Sequence, residues 1–339
     1  MKKIELIGEI GTNHNGKIET AIELIDMAAA AGLDTVKFQV YDANDIVSPK
    51  VKTSHYGITS QYEYWQDFIS AKLITPKAWL PELVAHAKDK GMDAIATPHS
   101  MSNAEACLKA GMTRLKIASM DCNYYPFIAD LCTLKVPLLL STGMSTIDEI
   151  YKAVNIIKKS NVSLTLFHCV ATYPTKYEEA NMSFLQTLKD FEPDHLGFSD
   201  HSGDNDLIMV AIPYGIDVVE KHITLDKTQD GPDHPFALNP DECELWRKKV
   251  DNATACLGSS DKQLSIREIN NRKKYRRVAI MNKDLHKGDV FTSSDFYFAR
   301  PADVNDSFIT PEHVTSYFGY TLCRDIEAGD GLTEKHFVR

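Results

Sequence analysis

The sequence predicts a (β/α)8 TIM barrel followed by a small, mostly β domain, and three observations carry that expectation. Eight short β-branched runs alternate with stretches of helical periodicity over about 250 residues, the size of one closed barrel. Glycines stand where the helices should close. The runs are apolar at their N-terminal halves and polar at their C-terminal ends. Strand alternating with helix implies parallel pairing through crossovers. The competing architecture is an open doubly wound sheet. It would usually carry a Gly-rich phosphate loop after its first strand, and "GEIGTNHNG" from Gly8 is not G-x-G-x-x-G.

In chain order, the strand runs are 4–10, 35–40, 93–97, 114–118, 137–141, 163–169, 195–199 and 216–222. Helical periodicity marks 18–31, 76–90, 103–110, 146–160, 182–191 and 204–214. Thr75, Ser102, Ser145 and either Asn181 or Ser183 are the expected N-caps, and Gly32, Gly91, Gly111 and Gly215 the expected stops. The barrel is expected to span residues 1–257. A polar, basic linker follows at 258–275, and then a small domain at 276–339. That domain repeats itself. "KDLHKGDVFTSSDF" from Lys283 and "RDIEAGDGLTEKHF" from Arg324 align without a gap. Two copies are too few for a solenoid and predict a pseudo-two-fold unit. At about 60 residues it is marginal alone and should lean on another surface.

The formal charge of −10 argues against a nucleic-acid partner, because phosphate backbones need a basic surface. No apolar stretch is long enough for a membrane span. The opening residues run straight into a strand with no secretory leader pattern, so a cytoplasmic location is expected. Seven cysteines without Cys-x-x-Cys spacing predict reduced, mostly buried thiols, with Cys107, Cys169 and Cys256 in apolar surroundings.

In a barrel, the C-terminal strand ends build the active site. Here they carry Glu9, Lys37, Gln39, Thr97, Lys116, Ser119, Ser141, His168, Ser199, His201, Glu220 and His222. Alternation puts Lys37 with Gln39, Ser199 with His201, and Glu220 with His222 on inward faces, while Phe38, Asp200 and Lys221 point outward. Two inward histidines on neighbouring strands could share one metal ion, with Glu220 a further candidate ligand and open positions left for substrate. Without cysteine at that spacing, manganese, magnesium, cobalt or iron suits an N/O site better than zinc. Two inward lysines indicate either a Schiff-base nucleophile or a pair of charges holding a phosphate or carboxylate. Hydroxyls from Thr97, Ser119 and Ser199 favour the anion reading. Glu9 is a candidate general acid or base, or a ligand for sugar hydroxyls. The polar loop 226–240 is either a lid with Asp233 facing the ligand or an exposed loop.

These stretches resemble the sialic acid (N-acetylneuraminate) synthase family. The matching segments are "EIGTNHNG" from Glu9, "VKFQ" from Val36, "TPHS" from Thr97, "KIAS" from Lys116, "STGM" from Ser141 and "HCVATYPT" from His168. They continue with "GFSDHS" from Gly197, "EKHITLD" from Glu220, "GPDHPFAL" from Gly231 and "ARP" from Ala299, so the likeness runs through nearly the whole chain. The tail resembles the family's antifreeze-like (SAF) domain. The resemblance implies condensation of phosphoenolpyruvate with an N-acetylated hexosamine. N-acetylmannosamine comes first, and a diacetamido-trideoxyhexose leading to legionaminic or pseudaminic acid is the alternative. It implies His201 and His222 as ligands of a divalent metal, Mn2+ first and Mg2+ or Co2+ next. Lys37, Gln39, Thr97, Lys116, Ser119, Tyr173 and Ser199 fall on phosphoenolpyruvate positions, and Glu9 and Asp233 on the sugar side. Arg300 matches an arginine given to the partner's site in a domain-swapped homodimer. Asp121 stands where N-acetylneuraminate synthases tend to carry Glu, and Ala171 where some carry Asn. A Schiff-base aldolase, and a sugar-binding protein without catalysis, are the rival classes.

Overall fold

A computed structural model of the chain describes residues 3–56 and 60–338. Met1, Lys2 and Arg339, at the outer ends of the two expected domains, lie outside the described residues. The chain divides into two units, Met1–Gly258 and Ser259–Arg339.

The first unit is a closed barrel of eight parallel strands in sequence order. They are β1 (Glu5–Gly11), β2 (Thr35–Val40), β3 (Asp93–Pro98), β4 (Leu115–Ile117), β5 (Leu138–Ser141), β6 (Leu164–Cys169), β7 (His195–Asp200) and β8 (Val218–His222). Side chains alternate across each strand, so two sets of apolar residues are needed. The outward set, including Leu6, Val36, Phe38, Ala94 and Ala96, packs with the surrounding helices into the main core. The inward set is small: Ile7, Ile95, Leu139, Phe167 and Val218 fill the barrel interior. Counting two residues on from each inward plug gives Glu9, Thr97, Ser141, Cys169 and Glu220. The change from greasy plug to polar mouth is therefore written in the strands at a spacing of one pleat. The register keeps these positions level, with Glu9 opposite both Lys37 and His222, Gln39 opposite Thr97, and Ser199 opposite both Cys169 and Glu220.

Phe167 fills the interior only because β7 offers no side chain against it. A Cβ on Gly197 would sit 2.6 Å from the Phe167 ring. Gly197→Ala should therefore displace Phe167 and destabilise the barrel by about 1–3 kcal/mol, the usual range for overpacking a core. Thermal and urea unfolding check this; an unchanged midpoint would show that the ring can move without loss.

The expected helices form with adjusted ends: Ile18–Ala30, Leu80–Asp89, Met101–Lys109, Ile147–Lys159, Phe184–Lys189 and Leu207–Ala211. The expected stops Gly32, Gly91, Gly111 and Gly215 all carry positive φ. Three caps sit elsewhere. The helix at 80 is entered through the turn Lys77–Trp79, so Thr75 caps nothing. Thr146, one residue past Ser145, forms a capping box with Glu149, and Ser100 rather than Ser102 precedes the helix at 101. Helices Trp65–Lys72, Tyr125–Thr133 and Pro240–Leu257 were not anticipated. The first is short and packs in a small cluster with Tyr41, Ile69 and Leu73, too brief a pattern to show a period. No helix among the described residues is long and apolar enough to cross a membrane.

The second unit begins within the expected linker, which is itself helical over Ile266–Tyr275, capped by Ser265 and Glu268. Its polar, basic composition matches a solvated helix without a buried residue. Beyond it, β9 (Val278–Met281) pairs antiparallel with β10 (Phe296–Ala299). The two sequence repeats meet each other. Leu285 and Ile326, equivalent in the alignment, exchange backbone hydrogen bonds at 2.9 Å in both directions. The equivalent Asp284 and Asp325 each accept from the other copy's backbone, at Ala328 and Lys287. Phe291 and Leu332, also equivalent, are fully buried in the unit's core. Such reciprocity is what an approximate two-fold produces.

Candidate active site

The C-terminal strand ends enclose a cavity of about 200 Å³ lined by Glu9, Lys37, Gln39, Thr97, Lys116, Ser119, Tyr173, Ser199, His201, Glu220 and His222, among others. A larger hollow of about 800 Å³ lies on the second unit, lined by Tyr317, Tyr320, Leu322 and Val338 with Lys287. It holds one ammonium and neither carboxylate nor imidazole, so the chemistry belongs in the barrel.

Four charges organise the cavity floor. Lys116 Nζ lies 2.6 Å from Glu220 Oε1, and Ser199 Oγ donates to the same oxygen at 3.1 Å. Lys37 Nζ lies 2.8 Å from Glu9 Oε1 and 3.7 Å from Glu220, and donates to Thr97 Oγ1 at 3.1 Å. Gln39 donates to Glu9 at 3.0 Å. All four charged groups are buried. Burial alone would raise both carboxyls, but the outcome differs between them. Lys116 and Lys37 overcome burial at Glu220 and hold it near 2. Glu9 stays above the carboxylate range because burial and repulsion from Glu220 outweigh Lys37. Two carboxyls driven apart in this way offer one group suited to anchoring charge and one that is a candidate proton carrier. The lysines differ too. Burial lowers Lys116, with Lys37 adding to the effect, whereas Glu220 and Glu9 overcome burial at Lys37 and raise it.

The histidine pair sits where alternation placed it. The rings of His201 and His222 are 5.5 Å apart between centroids, with Tyr173 4.4 Å from His201 and Phe236 5.1 Å from His222. His201 Nδ1 donates to Val170 O at 2.8 Å. Burial, the neighbouring His201 and Lys37 bring His222 down to about 4, despite Asp233 at 3.6 Å. A neutral imidazole with Nδ1 buried and unbonded has the donor chemistry of a metal ligand. Glu220 is engaged on one side only, its Oε2 being buried without a hydrogen-bond partner among the described residues. Its bonded oxygen is taken by Lys116 and Ser199, and among the described residues no group of three or more His, Cys, Asp or Glu could hold a metal. The two rings leave most of any ion's coordination to water and substrate.

The outward residues also follow the pleat. Lys221 pairs with Asp200 at 2.8 Å and donates to Ser202 O at 2.9 Å, fully buried behind the wall. His168 faces outward as well, stacked on Phe198 and bonded to Ala180 O, so it is no part of the mouth. The 226–240 loop is tied down over the barrel end. Asp233 accepts from Thr12 at 3.2 Å, and His234 bonds Thr224 at 2.7 Å and Asn15 at 3.1 Å. Thr12 and Asn15 of "GTNHNG" thus act as anchors for that loop. Arg300, in the second unit, lies over the Tyr275 ring at 5.2 Å.

Residues 24–262 match the NeuB family. The chain belongs to the NeuB family. It is 32% identical over 308 residues to an N,N'-diacetyllegionaminic acid synthase of Campylobacter jejuni, covering 89% of this chain and 92% of the relative. It is 30% identical to a pseudaminic acid synthase of the same species, covering 99% and 97%. Among solved structures, the N-acetylneuraminic acid (sialic acid) synthetase of Leptospira borgpetersenii superposes with a TM-score of 0.71 at 27% identity, covering 80% of this chain and 92% of that one.

In this NeuB-family chain the cavity also contains side chains that sequence reasoning passed over. Cys169 lines it, with Sγ 3.4 Å from Ser119 Oγ and 3.9 Å from His201 Nδ1. Burial raises its thiol, but His201 and Lys116 more than reverse that. It is no inert core thiol, and Cys256, also expected in apolar surroundings, is exposed. His99 lines the cavity two residues after Thr97, and its Nδ1 lies 2.8 Å from Asp121 Oδ2. The signal for both was present, since each continues the inward parity of its strand.

Proposed function

We propose that the protein condenses phosphoenolpyruvate with the open-chain aldehyde of an N-acetylated hexosamine, giving a nine-carbon α-keto acid and phosphate. The observation that carries this is one cavity that holds two buried ammonium groups, several hydroxyls and two adjacent imidazoles together. Each ammonium has three donors. The carboxylates hold Lys37 and Lys116 in place while leaving N–H bonds for the phosphate and carboxylate of the substrate. Thr97, Ser119 and Ser199 add hydroxyl contacts, and Gln39 and Tyr173 close the sides. His201 and His222 would hold a divalent cation, manganese before magnesium or cobalt, which supplies polarisation of the aldehyde oxygen. Carbon 3 of the enol ester, aligned by the lysines, attacks the aldehyde carbon. Water then adds at carbon 2, and phosphate leaves with its bridging oxygen. Glu9 is placed to move a proton near the sugar hydroxyls, and Asp233 approaches from the covering loop.

N-acetylmannosamine is the sugar the sequence motifs favour. The relatives at 30% and 32% identity, named for pseudaminic and diacetyllegionaminic acids, favour a diacetamido-trideoxyhexose as the second reading. The second unit is proposed as an antifreeze-like domain whose Arg300 completes the site of a partner in a homodimer.

Phosphate release from phosphoenolpyruvate, assayed with a panel of acetamido sugars with and without chelator, tests the reading. Release that requires one sugar and is lost on chelation is expected. No release with any sugar would overturn the reaction class, and release untouched by thorough chelation would overturn the metal role.

A further inference from the structure

The 800 Å³ hollow of the second unit and the groove between helices 147–159 and 184–189 are apolar faces with nothing to define an occupant. The paired imidazole and carboxylate of His99 and Asp121 are different, because they are built into the cavity wall and the reaction described above gives them no task.

The geometry points to His99 as a catalytic proton carrier at the phosphate end of the cavity, with Asp121 as its positioning residue. This inference rests on the proposed condensation. His99 follows β3, two residues beyond Thr97, and Asp121 lies in the turn Ser119–Asp121 after β4. Both side chains are largely buried. The Nδ1 contact of 2.8 Å to Asp121 fixes the ring, and Tyr41 packs edge-on against it at 5.7 Å. Nε2 makes no hydrogen bond among the described residues, on a side chain that lines the cavity. A carboxylate on one nitrogen and a free second nitrogen facing a ligand space is the arrangement that sets a histidine's tautomer for proton transfer.

Location decides which proton it moves. In a closed barrel of eight strands in order, β3 and β4 lie across from β7 and β8. His99 and Asp121 therefore share the wall of Thr97, Lys116 and Ser119, and stand away from His201 and His222. In the proposed binding mode, with the lysines on the phosphate and carboxylate and the histidines on the aldehyde side, that wall faces the phosphate-bearing carbon. When water adds at carbon 2, its O–H bond breaks and the proton passes to His99 Nε2. When the carbon–oxygen bond to phosphate breaks, that electron pair leaves with the phosphate, which takes the proton from Nε2 and departs as hydrogen phosphate. The hemiketal hydroxyl loses its proton to solvent as the ketone forms, and the sugar alkoxide gains one from solvent. Aldehyde, enol ester trianion and water thus become the keto acid anion and hydrogen phosphate dianion, with atoms and charge balanced.

The test uses the full-length enzyme and the sugar that the wild type accepts. His99→Gln and Asp121→Asn should each lower kcat for phosphate release about 10²-fold or more, the range of a lost general acid–base group. KM for phosphoenolpyruvate should stay within about twofold of wild type by the same assignment, because the lysines do the binding. Free imidazole should restore part of the activity of His99→Gly, and should not restore Asp121→Asn. Wild-type kcat in His99→Gln would overturn the inference, as would a raised KM with kcat unchanged. Loss of activity in His99→Gly that imidazole never restores, in a protein with a wild-type unfolding midpoint, would also count against it. A wild type that releases no phosphate with any sugar removes the condensation and this role together, whereas an active wild type beside an unimpaired His99→Gln removes this role alone.

Discussion

His222→Ala is expected to lower turnover by at least about 10³-fold while leaving the barrel folded, since several kcal/mol of charge stabilisation are lost and each 1.36 kcal/mol is tenfold in rate. The reason both halves can hold is the poverty of the residue's structural bonding. His222 Nδ1 is buried and unbonded, and Asp233 stands 3.6 Å away, too far for a hydrogen bond. Removing the ring strands no partner. It gives up packing on Phe236 and Tyr173, which is worth about 1–2 kcal/mol on the usual scale for a lost contact without a buried orphan. A buried imidazole held neutral and left unsatisfied is a poor way to stabilise a protein and a good way to wait for a ligand. Direct calorimetry with manganese should show weakened cation binding in the variant, independently of any assay of turnover. Retained turnover, or unaltered manganese affinity, would show that the ring has another purpose.

Most of this site was legible because a barrel strand has only two faces. Once the strands were found, parity assigned Lys37, Gln39, Ser199, His201, Glu220 and His222 inward and Phe38, Asp200 and Lys221 outward, and the structure has them so. The same rule, carried further, would have added His99 from Thr97 and Cys169 from Phe167, and would have turned His168 away. What sequence could not supply was the division of partners. Glu220 looks like a metal ligand beside His222, yet it is the counter-charge of two lysines from strands distant in the chain. Pairings of that kind depend on barrel closure, which brings β8 back against β1. Of the helices missed, Trp65–Lys72 lies in the long connection after β2, where apolar spacing is interrupted too often to show a period.

Glu220→Gln should be the most destabilising conservative change in the cavity, by about 3–5 kcal/mol near neutral pH, the range for breaking a buried ion pair from one side. Glutamine keeps the shape but removes the charge facing Lys116 at 2.6 Å and Lys37 at 3.7 Å. Lys37 retains Glu9, which is relieved of repulsion from Glu220 and becomes the better partner. Among the described residues, Lys116 has no second carboxylate within ion-pair distance. Burial already lowers it, and losing Glu220 should lower it further. The sign with pH follows from the depressed carboxyl. Glu220 sits near 2 in the folded protein against an ordinary value of 4.5, so its contribution is complete above about pH 4.5 and is lost as pH falls through about 2. The gap in stability between wild type and variant should therefore be widest at neutral pH and close across that acid window. Urea unfolding at a series of pH values reads it directly. A gap that stays constant from pH 7 to pH 2 would mean that Glu220 stabilises the fold by packing and not by its charge, and the anchoring of both lysines would have to be sought elsewhere.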